Sequence, residues 1–517
     1  MTRKKSLIMA VTMLIACMPL VACSSETKPG SSANPKATNT SSSDSTIASA
    51  PTKIKALAIL FGQTPSTNNK AQADLEQRGN VKLEVDFVPG DAYSDKMNVA
   101  LSSGHSYDLI LWTDPIDKFQ KLVKQGAFHE ITPYLQGQKN LNLIPTATLQ
   151  GLQVDGKNYG IPRPRGLYGG GLAHVVIRKD WLDAYQLPLP QTLDEFYHDL
   201  QIFKKKDPVG GGKTIPLTLS NEVDWNPPFN ETLPFTFAFG LPYGYKVEGN
   251  KAVAAIQAPQ YKLYLDWLKQ LWSEQLVDLE SPIIKSQQSV DKFLAGTAGA
   301  IVSNASLMSD LYLDKLKKAD PKANPVFIPV LTGPKGDKGV IVTTGFYGIW
   351  AIPSSVPKDK VQSIVNFLNF SANEDNFHFA KTGVIGVHSN GYIDGVVHRT
   401  PEQTNVFNAE RPDQWVLENR YDPYIYANST RPEVLAAQKS ALDAISTIGI
   451  ENPFIFYASS TLAKTPDHLK NVNEAMLKYV MGESTYEGVQ NQIDAWSKGV
   501  GSSILKEYMD QYTAAHK

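Results

Sequence analysis

Thiols are almost absent from this chain. Its 517 residues include two cysteines, Cys17 and Cys23, both near the start. Everything after them can form no disulfide, no thiolate metal site and no cysteine nucleophile, so stability must come from a packed core, which a chain this long can build. Excess charge of either sign is also missing. Fifty Lys and Arg face 51 Asp and Glu, a balance that argues against a nucleic-acid binder. No H-E-x-x-H, no G-x-S-x-G and no complete G-x-x-x-x-G-K-[ST] occurs. Gly210-Gly211-Gly212-Lys213-Thr214 ends like a phosphate loop but lacks its first glycine. The nine histidines are scattered without metal-ligand spacing, and no metal or cofactor is expected. A pair of carboxylates facing each other across a cleft, as a glycosidase needs, is not excluded by so acidic an inventory.

One long apolar run exists, and it comes first. Arg3, Lys4 and Lys5 precede Leu7 to Leu20, followed directly by Leu20-Val21-Ala22-Cys23. A charged start, a short apolar run and a small residue before the cut define a secretory signal over residues 1–22. The run is short for a membrane span. The last four residues resemble the bacterial lipobox, which implies cleavage before Cys23 and lipid on that residue. An ordinary secretory cleavage site is the alternative. Losing Arg3, Lys4 and Lys5 moves the formal net charge from −1 to −4. Residues 23–52 are rich in Ser, Thr, Asn, Lys and Pro, and read as a lipidated cysteine with a flexible tether behind it.

From Lys53 onward, strands alternate with helices. Lys55 to Phe61, Val81 to Val88 and Tyr107 to Leu111 read as strands, and Tyr93 to Ser102 and Pro115 to Gln125 as helices. This spacing predicts βαβ units and a parallel sheet, hence an α/β fold. Such sheets bind ligands beyond the carboxyl ends of their strands. Trp112 and Asp114 stand just there, an apolar ring beside an acceptor, the pairing that suits a sugar. The plain alternative is a Trp packing inward and an Asp capping the next helix. Gln63, in the polar loop after the first strand, is a further candidate. Val154 to Pro162 reads as a hairpin turning at Asp155-Gly156. Arg163, Arg165 and Tyr168 then lie in a Pro/Gly-rich connector, where they can reach a ligand or pack on carbonyls. Thr192 to Glu195 is a capping box, and Tyr264, Leu268, Leu271 and Trp272 recur at helical spacing as a buried face. Asn221 and Trp225 follow the strand Ile215 to Leu219, Asn304 ends another, and Phe346 and Tyr347 lie beside a returning strand.

Gly156-Lys157-Asn158-Tyr159-Gly160-Ile161-Pro162 resembles a signature of bacterial extracellular solute-binding proteins. Ile177-Arg178-Lys179-Asp180-Trp181-Leu182, with Leu187, Pro190, Thr192, Glu195 and Phe196, resembles the lipoprotein branch serving ABC sugar importers. Phe203 to Pro208, Lys213 to Leu217, Gln492 to Trp496 and Glu507-Tyr508 fit the same branch in order. The resemblance implies a two-lobed, hinged periplasmic-binding-protein-like fold, each lobe a mostly parallel sheet flanked by helices. Crossings would fall near 161–167, 327–333 and 383–389. The lobes would then be 53–163 with 334–385, and 164–333 with 386–517. In maltose-type relatives a Trp and an Asp after this strand contact sugar, which implies that role for Trp112 and Asp114. The implied function is capture of a small-molecule solute, an oligosaccharide, by a lipid-anchored monomer outside the cell, with delivery to an ABC permease. Peptide or another small solute, a surface-anchored carbohydrate-active enzyme and an adhesin are the alternatives; Arg163 and Arg165 in the cleft would favour an anionic sugar. Two positions depart from the branch. Asp207 to Lys213 stands where some members carry a calcium loop, but its alternate places hold Val and Gly. Ile385 replaces a common acid, which puts a ligand contact there in doubt.

Overall fold

The computed structural model describes residues 50–60, 62–104, 107–168, 170, 174–220, 233–303, 305–393 and 395–516. The chain opens with β1 (Thr52–Leu60), β2 (Val81–Pro89), β3 (Leu109–Trp112) and β4 (Ile161–Pro164). Helices Lys70–Gly79 and Gly90–Ser103 carry it from β1 to β2 and from β2 to β3. The second half of β1 and all of β3 are buried without alternation, as strands covered on both faces must be. Each turn is fixed locally. Asn69 accepts from the Gln72 amide at 2.9 Å to start the first helix. Asp155 and Gly156 take positive φ between the bridged pair Val154 and Lys157, the tight turn the sequence predicts.

The chain then makes β5 (His174–Arg178), β6 (Ile215–Thr218), the hairpin β7 (Tyr245–Glu248) and β8 (Lys251–Ala254), β9 (Ala298–Ser303), β10 (Pro325–Ile328), the short β11 (Val340–Ile341) and β12 (Phe346–Ala351). Strand order is β2-β1-β3-β12-β4 in one sheet and β10-β5-β9-β6 in the other. In the first sheet β12 runs antiparallel between β3 and β4. In the second, β6 and β9 are parallel, while β5 is antiparallel to both its neighbours. Each sheet has its own apolar core. Trp112, Phe119, Trp350 and Phe367 belong to the first, and Trp181, Phe196, Phe203, Phe235, Tyr261 and Tyr264 to the second.

The Arg-Lys-Asp-Trp run is a structural lock in the second lobe. Arg178 is fully buried, forks onto the Asp180 carboxylate, pairs with Asp320, and stacks 4.8 Å from the Trp181 ring. Asp180 also accepts from the Asn324 amide at 2.9 Å, so the start of a helix, β5 and the entry to β10 are tied together. The Thr192 capping box forms, with Glu195 reaching back to the Gln191 and Thr192 amides. Of the predicted helical face, Tyr264, Leu268 and Leu271 are buried and Trp272 only partly so. In the glycine-rich loop, the Asp207 carboxylate accepts from the Gly212 amide at 2.7 Å and from the Thr214 hydroxyl at 2.7 Å.

The chain passes between the sheets three times: after β4, between β10 and β12, and after Leu417. The third passage differs from the expected 383–389. His388 is buried in the first lobe, where its Nδ1 accepts from the Val384 amide at 3.0 Å and its Nε2 lies 3.1 Å from the Glu410 carboxylate. Glu410 in turn accepts from the Lys70 and Ala71 amides, at the helix N-terminus where an anion is favoured. Trp415, Val416 and Leu417 are part of the first core, with Trp415 edge-on to Phe87 at 5.2 Å. Ala427 already belongs with Phe237, Leu442 and Ile445 of the second lobe. The boundary at 385/386 is therefore corrected to the segment 418–426. The boundary at 334 also moves, because Val340 and Ile341 pack in that same second-lobe cluster.

Candidate ligand-binding cleft

The carboxyl ends of β1, β2 and β3, the start of the antiparallel β12 and the end of β4 share one edge of the first sheet. That edge presents Gln63, Asp114, Phe346, Tyr347, Arg163 and Arg165, and all three passages leave from beside it. Of the candidates, Arg163, Arg165 and Tyr347 come together. The Arg165 guanidinium lies 5.7 Å from the Tyr347 ring centroid. The Arg165 amide donates to the Gly345 carbonyl at 2.8 Å, extending the β4–β12 pairing by one step. Arg163 and Arg165 are half-buried, and Tyr347 is 36% exposed.

Trp112 is different. Its ring is 2% exposed, packed 6.0 Å from Phe119, with β3 enclosed by β1 and β12. In this conformation it offers no face to a ligand, so the inward-packing alternative describes it. Asp114 is half-buried, accepts from the Ser94 hydroxyl at 2.7 Å and lies 3.5 Å from the Lys118 ammonium. Gln63 is exposed, and its carbonyl accepts from Arg411 at 3.2 Å. Tyr168 packs beside the Phe237 cluster. Phe346 stacks against Phe456 at 6.5 Å. Asn221, Trp225 and Asn304, like the lipidation candidate Cys23, lie outside the described residues.

Sequence reasoning missed Glu418 and Tyr426. Glu418 is fully buried at the third passage, where one carboxylate oxygen accepts from the Asn419 amide at 2.8 Å and the other has no partner. Burial pushes its carboxyl well above the usual range. Burial likewise lowers the Arg163 guanidinium to about 10, with repulsion from Arg165 adding to the effect. The Tyr426 hydroxyl would meet a Cβ on Gly170 at 2.4 Å, so glycine there lets the first passage run against the third. No local motif marks Glu418 or Tyr426, since both act through neighbours more than 240 residues earlier in the chain.

An open cavity of about 440 Å³ lies at the outer corner of the same lobe, between the Thr64–Thr67 loop, the free edge of β2, Lys96 and Trp415. Its walls mix hydroxyls with the Phe87 and Trp415 rings. Among the described residues no group of acids, histidines or cysteines is arranged to hold a metal ion.

Two sheets with separate cores, joined by three passages beside an edge rich in arginine and tyrosine, define a hinged binding protein. The chain belongs to the bacterial extracellular solute-binding protein family, whose model matches residues 62–375. Among its relatives is Lipoprotein LipO of Bacillus subtilis (strain 168), 28% identical over 89% of this chain and 92% of that protein. Another is the polygalacturonan/rhamnogalacturonan-binding protein YtcQ of the same organism, 27% identical over 90% of this chain and 92% of that protein. Two solved structures share the fold. A solute-binding protein associated with an HMO-binding ABC transporter of Bifidobacterium longum infantis has a TM-score of 0.69 at 17% identity, covering 89% of this chain and 98% of that one. The substrate-binding protein FusA of S. pneumoniae, solved with kestose, has a TM-score of 0.64 at 19% identity, covering 90% and 99%.

Proposed function

We propose that this protein captures an oligosaccharide between its two lobes and delivers it to an ABC permease, held at the outer face of the membrane by lipid on Cys23. The observation that carries this is the edge itself. An exposed tyrosine ring, hydrogen-bonding side chains and guanidinium forks converge where the three passages allow the lobes to hinge. A pyranose has an apolar C–H face and a rim of hydroxyls, so it needs such a ring with donors around it. Ligand touching both lobes would favour the closed form by its differential affinity for it. The names of two relatives, YtcQ and FusA, also point to carbohydrate. In this reading the protein acts as a monomer and performs no catalysis on the sugar.

A thermal-shift screen of the full chain against oligosaccharides, peptides and amino acids tests the proposal, because ligand that binds only the folded state raises the melting temperature by mass action. A shift with a glycan family and none with peptides is expected. Chromatography of the recovered glycan should show it unchanged; shorter products would replace the binding protein with an enzyme. Lipid on Cys23 predicts that Cys23→Ala releases the protein from membranes into the medium.

A further inference from the structure

Arg163 and Arg165 alternate along one extended segment, so both point to the same side of it. Their contacts with the described residues are neutral. Arg163 Nε donates to the Leu417 carbonyl at 3.1 Å, and an Arg165 Nη donates to the Pro164 carbonyl at 3.0 Å. No carboxylate among the described residues pairs with either guanidinium. The two acids that share their surroundings are otherwise committed. Asp413 is held by the Arg411 fork at 3.0 and 2.9 Å. Glu418 is buried and held protonated, so it contributes no negative charge. Two partly desolvated cations therefore stand side by side without a counter-charge, and each is pulled below its ordinary basicity. Such an arrangement is costly until an anion with matching geometry arrives, and a planar carboxylate is what a guanidinium fork fits. The neighbouring surface is the exposed Tyr347 ring, with the Arg165 guanidinium 5.7 Å from its centroid. A sugar ring laid on that tyrosine would bring a carboxylate at its rim to the arginines.

We propose that the solute is an acidic oligosaccharide, and that Arg165 with Arg163 receives the carboxylate of a uronate residue stacked on Tyr347. This rests on the carbohydrate reading given above. Titration calorimetry of the full chain with trigalacturonate, trimannuronate and their carboxyl-reduced counterparts separates the two claims. At least one uronate should bind about 30-fold or more tighter than its neutral counterpart, the effect of charged hydrogen bonds, and the margin should shrink as salt rises. Arg165→Gln should abolish that margin while leaving the neutral affinity unchanged, and Arg165→Lys, which keeps the charge without the fork, should restore part of it. Circular dichroism checks that the variants fold, and the salt series needs no variant. Neutral sugars binding as well as uronates would overturn this inference and leave the carbohydrate reading standing. An equal loss of both affinities in Arg165→Gln would mean that Arg165 only holds the passage in place, which also overturns it. Binding of peptides and of no glycan would overturn both.

Discussion

Asp199 and Glu507 show how one side-chain chemistry takes opposite roles. Asp199 is buried in the middle of helix Leu193–Lys206 with one carboxylate oxygen unpartnered. Burial first, then the nearby Glu195, pushes its carboxyl up to about 7. The folded protein thus holds a proton there that the unfolded chain releases near pH 4. The stability it contributes is complete below about pH 4 and is lost as pH rises through about 7. Asp199→Asn, which imitates the protonated acid, should melt like the parent at pH 4 and higher than the parent at pH 8. An unchanged pH profile in the variant would show that Asp199 is not its source. Glu507 is the reverse case. The Ser459, Ser460 and Thr461 hydroxyls and the Thr461 amide all donate to it, at 2.6 to 3.1 Å. Its carboxyl falls to about 2, with burial opposing those hydrogen bonds and losing. Its contribution is present above about pH 4.5 and is lost as pH falls towards 2. Glu507→Gln should lower the melting temperature at pH 7 and converge with the parent near pH 2, measured by scanning calorimetry.

At the scale of elements, the passages between the sheets depend on close backbone approach. A Cβ on Gly333 would lie 1.6 Å from the Ala238 carbonyl oxygen, at the end of helix Leu233–Ala238. Backbone cannot yield as a flexible side chain does, so Gly333→Ala should cost about 3 kcal/mol or more. Gly336, three residues on, has φ of +87° and nothing near its Cβ position. Its replacement by alanine should cost only about 1 to 2 kcal/mol of backbone strain. Denaturant midpoints of the two variants check the ranking. Such elements differ in how far sequence reveals them. β3 is legible as an unbroken apolar run before a proline, and the Thr192 helix start as a capping box, because both signals are local. The inward turn of Trp112 is not legible, since a strand buried on both faces has no alternation to say where its last ring points. The third passage is hidden for another reason. Residues 386–417 are held to the first lobe by contacts distant in sequence, Trp415 on Phe87 and Glu410 on the helix start at Lys70. The Arg163 and Arg165 pair was visible as residues, whereas the missing counter-charge beside it depends on where Asp413 and Glu418 come to lie.

For the whole molecule, the balance between open and closed forms decides how much of the intrinsic affinity a ligand realises. One contact between the lobes bears on that balance without belonging to the arginine cluster. Phe456 lies between the second-lobe anchors Phe454 and Tyr457, whose rings pack against Tyr508 and Tyr512 of the helix Val500–Ala515. From there it reaches the first lobe. It stacks on Phe346, leaves no room for a Cβ on Gly151, and accepts through its carbonyl from Gln120 at 3.4 Å. An aromatic pair of this kind is worth about 1 kcal/mol beyond its buried area, which is roughly a fivefold change in an equilibrium constant. Phe456→Ala should therefore shift the ligand-free chain toward the open form, read as a larger radius of gyration in small-angle scattering. Saturating ligand should restore the compact value. Because the loss falls on the closing step, affinity for every glycan bound should drop by the same factor of about five, uronate and neutral alike. That uniformity sets Phe456 apart from Arg165, whose replacement should cost only the charged ligand. A loss confined to one glycan would place the Phe456 ring against the sugar, and unchanged scattering together with unchanged affinity would remove it from the closing step altogether.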